Sequence, residues 1–134
     1  NLSVEAKGYI APLPLVVDTA NPSVVKMKTM DFGHPLPPAM MNSMINAQAI
    51  KDATMAYFIY KNGVENGVFI HYHGDFHSAS YGGIYWYLKQ LNAELTISTL
   101  SAVEGEGELE FKDEYAELGD YILVVANDMT QTSR

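Results

Sequence analysis

Three apolar segments, the first two separated by a helical segment, constrain the fold more than any other feature of this sequence. "GVFIHYH" (67–73), "AELTISTLSAV" (93–103) and "GDYILVVAND" (119–128) are rich in β-branched and aromatic residues, which is typical of buried strands. "YGGIYWYLKQLN" (81–92) favours a helix that begins after a flexible glycine pair. Because the apolar segments are nearly continuous, the sequence predicts an α/β fold with a mostly parallel sheet flanked by helices.

A long helix is predicted before the first strand, and a proline-rich region precedes it. The helix spans 40–63, contains no internal glycine or proline and ends at Asn62-Gly63. All six prolines lie within 1–40, where Asn21 and Pro22 suit the N-cap and first position of a short helix. We predict part of a single domain: an irregular lead-in over 1–40, then a helix, a βαβ unit and a closing strand over 41–134.

Composition excludes several classes of function. The net charge of −8, from 8 basic and 16 acidic residues, argues against binding of nucleic acid, which needs a basic surface. No run of about 18 apolar residues is present, so we expect no membrane span. The lack of cysteine excludes disulfides and thiolate metal sites. Since the chain opens on "NLSVEAKGYIAP", without a methionine, we expect it to be a piece of a longer protein.

Histidines cluster at the end of the first predicted strand. His71 and His73 lie two apart, hence on one face of a strand, and His77 follows Gly74 in the next loop. With a carboxylate such as Asp75, these imidazoles suit zinc, iron or copper; the alternative is that the first two only form hydrogen bonds at a sheet face. His77 is the stronger candidate for a functional role, because ligands collect beyond the carboxyl ends of parallel strands.

Two polar residues interrupt the apolar face of the long helix. Gln48 and Asp52 are one turn apart on that face, and an unpartnered carboxylate there would be costly to bury. They either pair with another buried polar group, line a cleft, or lie on a face that is only half buried. Lys51 is a possible charge partner. We expect this face and the loop 74–81 to converge on one cleft.

Aromatic residues are dense in the second helical segment. Tyr81, Tyr85, Trp86 and Tyr87 have the spacing of core residues, although a tyrosinate can also bind ferric haem iron. Nucleophile and nucleotide motifs are absent: the sequence contains no GxSxG, no P-loop and no GxGxxG after a strand. We therefore assign no catalytic residue.

Three segments together resemble the ChaN-like haem-binding uptake proteins. These segments are "AQAIKDATMAYFI" (47–59), "FIHYHGDFHSASYGGIYWYLK" (69–89), which contains a GxxH loop, and "GDYILVVANDMTQT" (119–132). The family comprises iron-regulated lipoproteins of the bacterial envelope, in a superfamily with the erythromycin esterases and the TIKI/TraB proteins. The sequence is most similar to members from Bacteroidetes, and the resemblance covers about 9–132.

The resemblance implies a ligand, a location and a larger molecule. It implies a binding protein for haem or iron, more than an enzyme, anchored in the cell envelope by a lipid outside this chain. It also implies that the chain is the C-terminal half of a domain whose upstream half carries a matching histidine, and that haems stack across a homodimer. His77 is carried over by its motif, as cofactor and metal ligand.

The resemblance does not fix which other residues bind the cofactor. Tyr81 and Tyr72 are the nearest candidates for a tyrosine ligand of the iron, and we take Tyr81 as the prediction. Gln48, Asp52 and Gly74 complete the expected cofactor-binding set. The alternative function is a metal-dependent hydrolase of the same superfamily, in which His77 binds a divalent metal or acts as general base.

Overall fold

The computed structural model describes residues 2–105 and 109–128 as a mixed α/β structure. The elements in chain order are α1 (Val4–Lys7), α2 (Pro22–Thr29), α3 (Pro38–Asn62), α4 (Gly83–Leu91), β1 (Leu100–Gly105) and β2 (Tyr121–Ala126). Short 3₁₀ turns occupy Asp75–His77, Ala79–Tyr81 and Asp113–Tyr115. No helix in the described part of the chain is long and apolar enough to cross a membrane. The predicted α/β class is confirmed.

The core lies between α3 and α4. Small side chains on one face of α3 let α4 approach closely, and the larger side chains of α4 fill the space between the two helices. This cluster consists of Ala11, Ala49, Ala53, Ala56, Ile84, Tyr87 and Leu88. A second cluster joins α2 to the first half of α3 through Val24, Met27 and Ile45, with Phe76 packed against it. The two clusters fix α2, α3 and α4 around the loop that carries His77.

One asparagine ties the starts of two helices together. Asn21 caps α2, as predicted, because its Oδ1 accepts from the backbone N–H of Ser23 at 3.0 Å. The same Oδ1 accepts from the backbone N–H of Gly83, the first residue of α4, at 3.2 Å. The N-cap of one helix therefore also anchors a segment 62 positions away.

The sheet consists of two parallel strands in the described residues. β1 and β2 pair in register from Leu100 with Tyr121 to Gly105 with Ala126. The prediction of parallel pairing is confirmed, although β1 begins later than the apolar segment from 93 suggested.

The strand predicted at 67–73 is wrong for this structure. The segment is irregular, and Val68 and Ile70 are 84% and 68% exposed. A strand needs a neighbour to accept its backbone hydrogen bonds, and the described residues place none beside this segment. Residues 129–132, which belong to the resemblance at the closing strand, lie outside the described part of the chain.

Candidate functional site

A short turn presents His77 to α3. The 3₁₀ turn at Asp75–His77 begins after Gly74, whose carbonyl oxygen accepts from the backbone N–H of His77 at 3.0 Å. The same carbonyl lies 2.9 Å from Nδ1 of His73. Gly74 therefore shapes the loop through its backbone. Its φ of −67° makes no special demand for glycine.

His77 forms a close pair with Asp52. Its Nδ1 lies 2.5 Å from Oδ1 of Asp52, and the Asp52 side chain is 2% exposed while that of His77 is 23% exposed. Since a buried carboxylate needs a donor, Nδ1–H donates to Asp52. No hydrogen bond to the other ring nitrogen, Nε2, occurs among residues 2–105 and 109–128, so Nε2 is available to bind a ligand.

Gln48 completes the pair from one turn earlier on α3. Its Nε2 donates to both oxygens of Asp52, at 3.2 and 3.3 Å. It also lies 2.9 Å from Nδ1 of His77, but because Nδ1 carries a hydrogen directed to Asp52, it has no lone pair with which to accept from the amide. The sequence interpretation that Gln48 and Asp52 pair with a buried polar group is thus what the structure shows. Lys51 is exposed, and it forms no ion pair within the described ranges.

Burial and hydrogen bonding act in opposite directions on Asp52. Burial raises the pKa of the Asp52 carboxyl above its ordinary value of 3.8. The hydrogen bond and charge of His77, the amide of Gln48 and the charge of Lys51 lower the pKa, by less than burial raises it. The carboxylate is therefore held in place by its two donors against a real cost of desolvation.

Gly83 allows the loop and α3 to meet. Its φ is +50°, in the left-handed region, and a Cβ there would collide with the carbonyl group of His77. The same Cβ would lie 3.0 Å from Oδ2 of Asp52. A side chain at 83 would thus push apart the two residues of the pair.

Tyr81 lies beside the sheet. Its hydroxyl donates to Oδ1 of Asp120 at 3.2 Å, and its ring packs edge-on against Tyr85. Asp120 in turn accepts from the backbone N–H and the hydroxyl of Thr99, just before β1. Burial and the negative Asp120 raise the pKa of Tyr81, which opposes formation of a tyrosinate.

The other two histidines lie near His77 without forming a metal group. The ring centroids of His71 and His73 are 5.3 Å apart, and those of His73 and His77 are 6.2 Å apart. Burial and the two neighbouring histidines lower the pKa of His71. No set of three His, Asp or Glu side chains that could hold a metal ion occurs in 2–105 and 109–128. Tyr72, which lies between His71 and His73 in the sequence, is 89% exposed.

Sequence reasoning named His77, Gln48 and Asp52, which the structure brings into contact, but it did not anticipate the residues packed around them. Asn21 was expected only as a helix cap, and Ser23, Gly83 and Tyr87 were not expected at the site. Gly82-Gly83 ahead of a helix was a visible signal of close packing. The residues that Gly82 approaches, Asn21 and Ser23, and the carboxylate of Asp52 near Gly83, however, lie far away in the sequence.

Comparison with known proteins assigns the family. The fold and the His–Asp pair define an α/β protein with one oriented imidazole at a loop. Residues 1–88 match the family model described as haem-binding uptake, Tiki superfamily, ChaN, and the chain belongs to this family. No curated protein and no solved structure has significant similarity to the chain. The match confirms the resemblance inferred from 47–59 and 69–89, while the closing strand lies outside the matched range.

Proposed function

We propose that this protein binds haem with His77 as a ligand of the iron and Asp52 as the residue that orients it. The contact of 2.5 Å between Nδ1 of His77 and Oδ1 of Asp52 carries the proposal. Histidines that bind metals generally donate their other N–H to a carboxylate or carbonyl, which fixes the tautomer and makes the ligand more basic. Histidine is also a common axial ligand of haem iron.

The residues around the pair favour binding on its exposed side. The cavity that Asp52 lines together with α2 and α4 has a volume of about 10 Å³, which is far too small for haem. Aromatic and aliphatic side chains are exposed on the segment that leads to the histidines, with Phe69, Ile70 and Tyr72 at 45%, 68% and 89%. Such a surface suits the apolar faces of a porphyrin. Tyr81 and Tyr72 remain candidate second ligands, and Gly74 a candidate backbone contact.

Hemin titration tests the proposal. The wild-type protein should shift the Soret band on saturable binding, and His77→Ala should bind at least roughly 10-fold more weakly, because it loses the ligand. Asp52→Asn should weaken binding by about 10- to 100-fold, as expected for loss of a partner of the ligand. His34→Ala is the matched control, since His34 lies on the exposed loop between α2 and α3. Absence of a hemin response, or equal binding by His77→Ala, would overturn the proposal.

A metal-dependent hydrolase is the second candidate. The observation that favours it is the same pair, because a histidine oriented by a carboxylate is also a suitable general base. The further metal ligands would come from residues beyond the described ones. Zinc or manganese retained by the purified protein, together with no response to hemin, would support the hydrolase over the haem protein.

We also propose that an upstream half of the same protein is a partner of this chain. The support is the exposed apolar segment 68–72 and a parallel sheet of two strands, since parallel sheets normally have more strands and both faces covered. If strands of the upstream half pair there, the backbone amides of 68–72 should exchange slowly with deuterium in the longer protein. Fast exchange in the longer protein would contradict this.

Location and assembly are further proposals. We propose a place in the cell envelope, through a lipid anchor outside this chain, and assembly as a homodimer, as the resemblance of the sequence implies. Fractionation of the native cells and measurement of the molecular mass in solution test these two points. Recovery from the cytosol, or a monomer in the presence of hemin, would contradict them.

A further inference from the structure

A small cavity is lined by Asp52 and by residues of α2, α3 and α4. Its volume is about 10 Å³, close to the space that one water molecule requires. Asp52 and Gln48 line it from α3, Asn21 and Ser23 line it from the start of α2, and Tyr87 lines it from the middle of α4. The rest of the wall is apolar, from Val24, Met27 and Ile45, so the cavity suits a neutral occupant better than an ion.

Two buried hydroxyls also line this cavity. Ser23 on α2 is 4% exposed and Tyr87 on α4 is 9% exposed. Within the residues described, neither Ser23 Oγ nor Tyr87 Oη has a hydrogen-bond partner. Buried hydroxyls are almost always satisfied by protein or by ordered water, so two unsatisfied hydroxyls on one cavity indicate a shared partner.

Close backbone contact between α2 and α4 prevents the two helices from moving closer together to bring the hydroxyls of Ser23 and Tyr87 into contact. A Cβ on Gly82 would lie 2.7 Å from the backbone nitrogen of Ser23, so α2 and the start of α4 are already in close contact. Burial, and then the negative charges of Asp52 and Asp18, raise the pKa of Tyr87. Tyr87 is consequently a neutral hydroxyl near Asp52, and it can donate to a mediating molecule.

We propose that the cavity holds one ordered water that accepts hydrogen bonds from Ser23 and Tyr87 and donates to Asp52. The water gives Asp52 a further donor besides His77 and Gln48. Ser23 and Tyr87 then act as positioning residues for the Asp52–His77 pair. The water site stands on the cavity and the two hydroxyls alone, while its importance for ligand binding rests on the proposed function.

A crystal structure of the wild-type protein is the direct test of the water. We expect an ordered water within hydrogen-bonding distance of Ser23 Oγ, Tyr87 Oη and a carboxylate oxygen of Asp52. In Tyr87→Phe this water should be lost or displaced, whereas Tyr57→Phe, which removes a hydroxyl from a half-buried tyrosine on α3, should keep it. Direct bonds from both hydroxyls to protein atoms, with no water, would overturn the proposal.

Proton NMR of the free protein tests the positioning role without haem. Loss of one donor makes Asp52 a stronger acceptor, so the Nδ1 proton of His77 should move downfield in Tyr87→Phe and in Ser23→Ala. It should stay unchanged in Tyr57→Phe. If Tyr87→Phe does not fold, Ser23→Ala carries the same test. An unchanged resonance in folded Ser23→Ala would reject the positioning role, whatever hemin binding shows.

Discussion

At the residue scale, Gly83 occupies a position at the site that cannot accommodate a side chain. Its positive φ and the closeness of the His77 carbonyl exclude a side chain for two separate reasons. A matched control exists at Gly33, which has a φ of +74° and no atom within 4 Å of the position that a Cβ would occupy. Comparing substitutions at Gly83 and Gly33 therefore separates the cost of backbone strain from the cost of a steric collision at the site.

Gly83→Ala should destabilise the protein much more than Gly33→Ala. The strain of a left-handed alanine costs roughly 1 kcal/mol at both positions. Gly83→Ala adds a collision with backbone, so we expect a total of about 3 kcal/mol or more. Chemical denaturation gives both free energies of unfolding, and equal values for the two variants would contradict the packing described.

Gln48 is the residue whose effect should depend on pH. Burial raises the pKa of Asp52 in the folded protein. Asp52 therefore contributes stability at pH values below its unfolded pKa of 3.8, and this contribution is lost as the pH rises through the folded pKa. Gln48→Met removes the amide group that donates to both oxygens of the carboxylate, so it should cost about 1 kcal/mol at neutral pH and less in acid. Urea unfolding at both pH values measures this, with the exposed Gln90→Met as control. A cost that is independent of pH would show that Gln48 does not stabilise the carboxylate.

At the element scale, Asn21 connects α2 to α4. Each helix begins at its side-chain carbonyl oxygen, and the loop with His77 lies between α3 and these two helix starts. Asn21→Ala should destabilise by about 2 kcal/mol, the upper end for an N-cap, because a second helix start is also lost. Ser3→Ala removes the cap of the exposed α1 and should cost less. Thermal unfolding compares them, and equal losses would argue against the double role.

Asp120 connects the loop after the site to the sheet. The backbone N–H of Thr99 is the main cause that lowers the pKa of Asp120. An acid whose pKa is lowered by folding stabilises the protein at pH values above its unfolded pKa of 3.8. This stabilisation is lost as the pH falls through the folded pKa. Asp120→Asn should therefore unfold with a weaker dependence on pH below about pH 4. The exposed Asp128→Asn should behave like the wild type, and an Asp120→Asn profile that matches it would contradict the role of Asp120.

At the scale of the whole molecule, the sequence predicted those helices and strands whose formation depends on residues close together in the chain. α3 and α4 follow from helical composition and glycine boundaries, and β1 and β2 follow from β-branched segments. The segment 67–73 has the same strand composition, but strand formation requires a partner that local sequence does not specify. The extent of the domain over 1–134 stays a prediction.

The candidate site was partly predictable for the same reason. Gln48 and Asp52 on an apolar face indicated a polar partner, and His77 followed from its GxxH motif, although the strand expected before it is absent from the described residues. The contact of Asn21 with Gly83 spans 62 positions and has no local signal. The cavity with Ser23 and Tyr87 arises only when three helices pack together, which periodicity along one helix cannot show.

The tautomer of His77 tests the central claim most directly, because the whole site depends on Asp52 leaving Nε2 free. Nitrogen-15 NMR of the free protein at about pH 8.5, where an ordinary imidazole is neutral, distinguishes the two ring nitrogens. We expect Nδ1 to carry the hydrogen and Nε2 to be bare, with this preference weakened in Asp52→Asn. A hydrogen on Nε2, or ring shifts identical in wild type and Asp52→Asn, would contradict the claim.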